Sequence, residues 1–130
     1  MISFRIMQKP ESWNTLARKT FWAYKRVFEM WYTLTGAALS EVDAQPVAGP
    51  VRLEVTARWK TKRRHDIDNI LLKPVLDAMV KREILRDDGV NDIVEIKLRG
   101  LIDQSEDSLQ IDIIPVVLRS QGGTDGPPDS

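Results

Sequence analysis

The nine-residue stretch VRLEVTARW, residues 51–59, determines the architecture of this chain because its apolar and polar side chains alternate without a break. Alternation with a period of two is the pattern of a β-strand that has one buried face and one polar face. The apolar positions are Val51, Leu53, Val55, Ala57 and Trp59. We therefore expect this strand to lie in a sheet, with helices packed over its apolar face.

The sequence before this strand predicts one further strand and one long helix. Residues 2–7 alternate in the same way, and residues 13–39 carry apolar side chains at helical spacing. Ser12 and Asn14 can each cap that helix, and Gly36 is expected to end it or to break it. Residues 41–50 contain two prolines and a glycine and predict a loop.

The sequence after the strand predicts a second helix and two more strands. Residues 67–84 have the helical pattern, and residues 93–101 and 109–117 have strand patterns, joined by a polar hairpin connection over residues 103–108. The order β-α-β-α-β-β predicts a single α+β domain, with a mixed sheet and two helices packed on one face. We expect this domain to cover residues 1–119, followed by a disordered tail over residues 120–130, where Gly, Pro, Asp and Ser predominate.

The composition excludes several classes of site. The chain has no cysteine, which excludes disulfides, thiolate zinc sites and cysteine nucleophiles, and His65 is its only histidine. No run of about eighteen apolar residues predicts a membrane span. The first residues are too few and too charged for a secretion signal, so a cytoplasmic protein without membrane contact is expected.

Charge is distributed unevenly although the formal net charge is zero. A basic run without acidic residues begins at the end of the strand of residues 51–59 and continues into the turn after it. Its cations are Arg58, Lys60, Lys62, Arg63 and Arg64. The acidic residues are concentrated after Asp66. Because phosphate backbones bind through Lys and Arg, the basic run predicts contact with a nucleic acid.

Several carboxylates and one lysine follow the basic run within about two dozen residues. They are Asp66, Asp68, Lys73, Asp77, Asp87 and Asp88. Carboxylate oxygens are the ligands that Mg²⁺ and Mn²⁺ prefer. Carboxylates beside phosphate-binding cations indicate metal-assisted hydrolysis of a phosphodiester.

Each of these residues also has a structural interpretation. Asp66 and Asp68 stand where a helix begins, and aspartate is a common helix cap. Lys73 and Asp77 are four residues apart, the spacing of a surface ion pair. Asp87-Asp88-Gly89 is a sequence that favours a tight turn. His65 is expected to contact phosphate or to have no role, and Trp59 to lie in the core.

The sequence from residue 63 to residue 92 resembles the RusA family of Holliday junction resolvases. The family core has the form Asp-x-Asp-Asn, then a lysine, an Asp-Ala-Leu-like step and an Asp-Asp pair. Here it reads Asp66-Ile67-Asp68-Asn69, Lys73-Pro74, Leu76-Asp77-Ala78-Met79 and Asp87-Asp88. A looser resemblance covers Lys9-Pro10 to Asn14.

The resemblance implies a Mg²⁺-dependent endonuclease, with Mn²⁺ as an alternative ion. Such an enzyme binds four-way DNA junctions as a homodimer and resolves them by paired symmetric nicks in recombination and repair. The resemblance assigns catalysis to Asp66, Asp68, Lys73 and Asp88, and metal binding to the three aspartates. Asn69, Asp77 and Asp87 would support the site. The cations Arg58, Lys60, Lys62, Arg63 and Arg64 would bind DNA.

The position of Lys73 departs from the family pattern by one residue. The family lysine follows the second aspartate by four positions, whereas Lys73 follows Asp68 by five. One residue rotates a side chain on a regular helix by about 100°. We therefore expect non-α geometry between Asp68 and Pro74, as a wide turn or a delayed helix start, with the Lys73 amine directed at the carboxylates. We also expect Asp66, Asp68 and Asp88 to converge.

Two alternatives remain open at this point. One is a catalytically weak or inactive DNA-binding module of the same fold, in which the shifted lysine marks lost chemistry. The other is a small nucleotide-metabolising enzyme, because Asp-x-Asp sites also bind Mg-nucleotides. The absence of a glycine-rich phosphate loop from the sequence disfavours the second alternative.

Overall fold

The computed structural model describes residues 1–117 of the chain. In this part the strands are β1 (Ile2–Ile6), β2 (Val51–Trp59), β3 (Ile93–Ile102) and β4 (Ser108–Pro115). The helices are α1 (Trp13–Ala17), α2 (Phe21–Glu41) and α3 (Lys73–Lys81), and a 3-10 turn covers Ile67–Asn69. The predicted α+β class is confirmed. The expected disorder of residues 120–130 and the domain boundary at residue 119 lie outside the described residues.

The four strands form one mixed sheet in the order β1-β4-β2-β3. β4 pairs antiparallel with both β1 and β2, whereas β2 and β3 are parallel. Within residues 1–117 no helix is long and apolar enough to cross a membrane.

The predicted hairpin between the last two strands is wrong, because β2 lies between β3 and β4. The connection instead crosses the carboxyl end of β2. There the Asp103 N–H donates to the Trp59 carbonyl at 2.8 Å, and the Lys60 N–H donates to Asp107 Oδ1 at 2.8 Å. A polar connection between two strand patterns indicates that the chain reverses, but it does not identify the neighbour of each strand.

The two faces of the sheet differ in character, as the alternation in β2 predicts. Leu53, Val55 and Ala57 are buried, and each is paired with a buried residue of β4: Ile113, Ile111 and Leu109. The opposite face carries polar side chains such as Arg52, Glu54 and Gln110. The core therefore lies between the apolar face and the helices, and each fully buried Leu or Ile contributes about 1.5–3 kcal/mol.

The first predicted helix is divided into α1 and α2. Ser12 caps α1 by accepting from the Thr15 N–H at 3.5 Å, and Thr20 caps α2 by accepting from the Ala23 N–H at 3.2 Å. The expected helix end at Gly36 is wrong, because α2 continues to Glu41. Gly36 instead allows the Arg82 guanidinium to approach, since an added Cβ would lie 2.9 Å from Arg82 Nη2.

The second predicted helix is shorter than residues 67–84. After the 3-10 turn the backbone is extended at Ile70, and the α-helix begins only at Lys73. Ile70 forms an isolated β-bridge with Ser12, and the Leu71 N–H donates to the Glu11 carbonyl at 2.9 Å. Pro74 lacks an N–H, so it is best placed in the first turn of a helix and favours this late start.

Candidate functional site

The candidate residues begin at the carboxyl ends of the parallel strands β2 and β3, where Trp59 pairs with Ile102. The turn of residues 60–65 follows Trp59 directly. His65 stacks on the Trp59 ring, with centroids 4.3 Å apart and planes within 1° of parallel. His65 Nε2 also lies 3.2 Å from Thr61 Oγ1 and 3.3 Å from the Thr61 carbonyl. His65 therefore fixes the basic turn against the end of the sheet.

A cleft of about 370 Å³ separates the basic turn from the loop between β1 and α1. Three cations line it: Lys9 from the loop, and Arg63 and Arg64 from the turn. Trp59, His65 and Asp66 contribute to the same walls. The sequence indicated the cations of the turn but not the cleft, because the opposing loop lies about fifty residues earlier in the chain.

Asp66 and Asp68 flank the start of the 3-10 turn without capping it. The Asp66 side chain makes no capping hydrogen bond. It is 56% exposed, with Arg64 Nε 3.5 Å from its Oδ1. Asp68 is exposed as well. Neither carboxylate is therefore needed to begin a helix here, and both are accessible to a ligand.

The 3-10 turn is held in place by its other side chains. Asn69 Nδ2 donates to Ser12 Oγ at 3.1 Å, which ties the turn to the start of α1. Ile67 packs directly over Gly100 of β3, where a Cβ would collide with its Cγ2 methyl. Gly100 thus allows the turn to lie against the sheet. These contacts fix the backbone that carries Asp66 and Asp68.

Lys73 lies between two carboxylates. Its Nζ is 3.0 Å from Asp77 Oδ1 and 3.2 Å from Asp88 Oδ2. The non-α geometry expected between Asp68 and Pro74 is confirmed as a 3-10 turn, an extended residue and a delayed helix start. The Lys73 amine reaches Asp88, one of the three expected metal ligands. Asp87 Oδ1 accepts from the Asp88 N–H at 2.7 Å and so stabilises that turn.

The pKa values of Lys73 and Asp88 are shifted in the directions of a formed ion pair. Hydrogen bonds to Asp77 and then Asp88 raise the pKa of Lys73 above its usual value. The hydrogen bond from Lys73 lowers the pKa of Asp88 below the ordinary carboxyl range. Both groups therefore stay charged across the neutral range.

The candidate residues divide into two groups, which we name the cleft group (Asp66 and Asp68) and the helix group (Lys73, Asp77 and Asp88). Within residues 1–117 no three Asp, Glu or His side chains are arranged to hold one metal ion. The expected convergence of Asp66, Asp68 and Asp88 is therefore not formed. The two groups are anchored differently: Ile67, between Asp66 and Asp68, lies over Gly100 of β3, whereas Asp88 is bonded to Lys73 and lies in the turn before β3.

The donor chemistry of the site still fits Mg²⁺ in an open arrangement. Mg²⁺ is commonly bound by one or two carboxylates together with phosphate oxygens and water, rather than by a closed protein cage. Asp66 offers an exposed carboxylate in the cationic cleft, and Asp68 offers a second exposed carboxylate two residues later in the same turn. Such a pair suits an ion that arrives with a phosphate.

The basic residues are placed unequally. Arg58 is only 16% exposed, donates from Nη1 to Gln110 Oε1 at 2.8 Å and lies 4.0 Å from Asp103. The Arg58 guanidinium is therefore already bound by side chains of the same chain. Lys60, Lys62, Arg63 and Arg64 are exposed on the turn. The cationic surface of the turn therefore comes from residues 60–64, without Arg58.

Comparison with models of known protein families found no match, and comparison with curated proteins found no relative.

Proposed function

We propose that this chain is a RusA-like, Mg²⁺-dependent endonuclease that acts on branched DNA as a homodimer. The observation that carries the proposal is the exposed carboxylate of Asp66 in a cleft lined by Lys9, Arg63 and Arg64, with the exposed carboxylate of Asp68 two residues further along the same turn. The cations attract a phosphate backbone, and the carboxylates supply oxygen ligands at the same place. The resemblance over residues 63–92 supplies the substrate class.

The chain's own residues would share the work as follows. Arg63, Arg64 and Lys9 bind backbone phosphates and orient a strand in the cleft. Asp66 and Asp68 would hold Mg²⁺, and Asp88, the third ligand that the resemblance implies, would have to join them when DNA and metal bind. When bound, the ion supplies an activated water and offsets charge on the phosphate. Lys73 holds the Asp88 carboxylate in its charged form and offsets negative charge beside it.

The homodimer follows from the substrate. Resolving a symmetric junction requires two cuts, and one chain of this size offers one such set of carboxylates. Paired nicks at positions related by two-fold symmetry are therefore the expected products.

A catalytically weak or inactive DNA-binding module is the second candidate, and one specific observation favours it. Among the described residues no three carboxylates are arranged as a metal site. The basic turn and its cleft would still bind DNA. The two candidates therefore differ in cleavage and not in binding.

The deciding experiment incubates the protein with a synthetic four-way junction, with and without Mg²⁺ or Mn²⁺, beside a linear duplex of the same sequences. The enzyme is expected to nick the junction symmetrically only when metal is present. Asp68→Asn should abolish nicking and keep junction binding, because it removes a ligand charge but keeps the side-chain volume. Junction binding without nicking under any metal condition would establish the inactive module instead.

A further inference from the structure

Strand β3 has one free edge. Its ten residues, Ile93–Ile102, pair with β2 alone among the described strands. A long strand edge presents unpaired N–H and C=O groups, and proteins usually protect such edges with bulges, charges or a covering segment. Along residues 1–117 the 3-10 turn, near the carboxyl end of β3, is the helical element that contacts this strand most. The edge is therefore available for pairing.

The apolar face of β3 extends beyond the helix layer. The register places Ile96 beside Leu53 and Leu98 beside Val55, so the even-numbered residues from Ile96 to Ile102 share the helix-covered side of the sheet; the register shifts at the start of β3, where Ile93 pairs with Val51. Leu53 and Val55 are buried, whereas Ile96 and Ile102 are 41% and 48% exposed. An apolar strip thus continues from the core to the edge of the sheet without a cover.

The sequence of β3 complements itself when two copies run antiparallel. With Ile96 opposite itself, Glu95 faces Lys97 twice because the arrangement is symmetric. Opposite charges at directly facing positions stabilise a strand pair, and like charges there destabilise it. The apolar strips of the two copies then form one surface on the same side of the sheet.

The other registers are less favourable. Centring the pair on Glu95 or on Lys97 places that residue opposite itself, and centring it on Leu98 places Lys97 opposite Arg99. If the pair is centred between two residues, the apolar side chains of one copy lie on the same side of the sheet as the polar side chains of the other. Among centres from residue 95 to residue 98, Ile96 alone combines matching faces with opposite charges.

We propose that β3 pairs antiparallel with β3 of a second copy, about a two-fold axis at Ile96, to form one continuous eight-stranded sheet. This interface would be the one that forms the homodimer of the proposed function. The biological role of the interface therefore rests on that proposed function. The strand pairing itself does not require nuclease activity. The axis is perpendicular to the sheet, so both 3-10 turns lie on the same side of the dimer. Gly100, under Ile67, is four residues from Ile96, so the two turns lie roughly 26 Å apart along the strands.

The first test reverses charges at the interface. Sedimentation over a concentration series should show a dimer, and Glu95→Lys or Lys97→Glu should each weaken it about tenfold or more, since two attractive pairs become repulsive. An equimolar mixture of the two variants should dimerise again, as should the double variant E95K/K97E. Lys25→Glu, an exposed change of the same size on α2, should leave the dimer unchanged.

The second test uses the absence of cysteine from the chain. Ile96→Cys should form a disulfide-linked dimer on oxidation, because directly facing residues have Cβ atoms about 5 Å apart. Ile102→Cys is similarly exposed but would lie roughly 40 Å from its counterpart, and should not cross-link.

A protein that stays monomeric at every concentration, or a dimer that the charge reversals do not weaken, would overturn the interface. A monomer would leave the edge open to another protein or to a distant part of this chain. These measurements use no DNA, so a dimer that cleaves nothing contradicts the proposed function alone, and a cleaving monomer contradicts this interface alone.

Discussion

Replacing Lys73 with Met removes the ammonium group between Asp77 and Asp88 while keeping an unbranched side chain of similar length. The structure predicts a small effect on stability, because the Lys73 side chain is 58% exposed. Exposed ion pairs contribute about 0–1 kcal/mol after solvent screening, and helical pairs four residues apart contribute about 0.3–0.5 kcal/mol. The free energy of unfolding should therefore fall by less than about 1 kcal/mol.

The effect of Lys73→Met on cleavage should be much larger. Under the proposed function the ammonium offsets negative charge beside Asp88 when a phosphate is bound. Losing one positioned charged or hydrogen-bonding group at a reacting centre costs about 10²–10³ in rate. Lys73→Arg keeps the positive charge and should retain more activity than Lys73→Met.

The assay combines urea unfolding with single-turnover cleavage of a four-way junction in Mg²⁺. Lys81→Met serves as the control, because Lys81 ends the same helix, is exposed and, although one turn after Asp77, forms no ion pair with Asp77 or Asp88 in the described residues. The control should cleave like the parent protein. A Lys73→Met variant that unfolds and cleaves like the parent would refute the role assigned to Lys73.

Three further predictions follow from the same contacts. The stability difference between the parent and Lys73→Met should be constant near neutral pH. It should decrease in acid as Asp88, whose pKa is lowered, becomes protonated and one of the two ion pairs of Lys73 is lost, and it should vanish in strong alkali as Lys73, whose pKa is raised, loses its proton; urea titrations across pH check this. Arg63→Gln and Arg64→Gln should each reduce the salt slope of junction binding by about one unit, and Lys81→Gln should not; an unchanged slope would remove the arginines from the interface. Gly100→Ala should cost about 1–3 kcal/mol of stability by displacing Ile67, and adding Ile67→Ala should recover most of that loss, because the colliding methyl is gone; a double variant no better than Gly100→Ala would place the strain elsewhere.

The parts of the fold that depend on local pattern could be predicted from the sequence. The alternation in β2 correctly predicts which of its side chains are buried, and the sequence correctly predicts Ser12 as a helix cap. The extra residue before Lys73 and the missing donor at Pro74 predicted a helix irregularity, which is present. Each of these features is decided by neighbours within a few residues.

The parts that were missed depend on residues distant in the sequence. Gly36 has a low helix propensity, but it lies inside α2, where its missing Cβ leaves room for the guanidinium of the distant Arg82. The pairing of β4 with β2, rather than with β3, depends on the whole sheet. The cleft joins the β1–α1 loop to the end of β2, and no local pattern could indicate that contact.

The division of the candidate carboxylates follows from the one parallel pair in the sheet. Parallel strands require a crossover, and residues 60–92 form it, so the candidate residues must travel from the carboxyl end of β2 to the amino end of β3. The cleft group is held at the start of the crossover by contacts through Ile67, Asn69, Ile70 and Leu71. Asp88 is held near its end by exposed contacts to Lys73 and to its own turn. If DNA and metal bring the two groups together, the turn that carries Asp88 has the weaker attachments and is therefore the part expected to move.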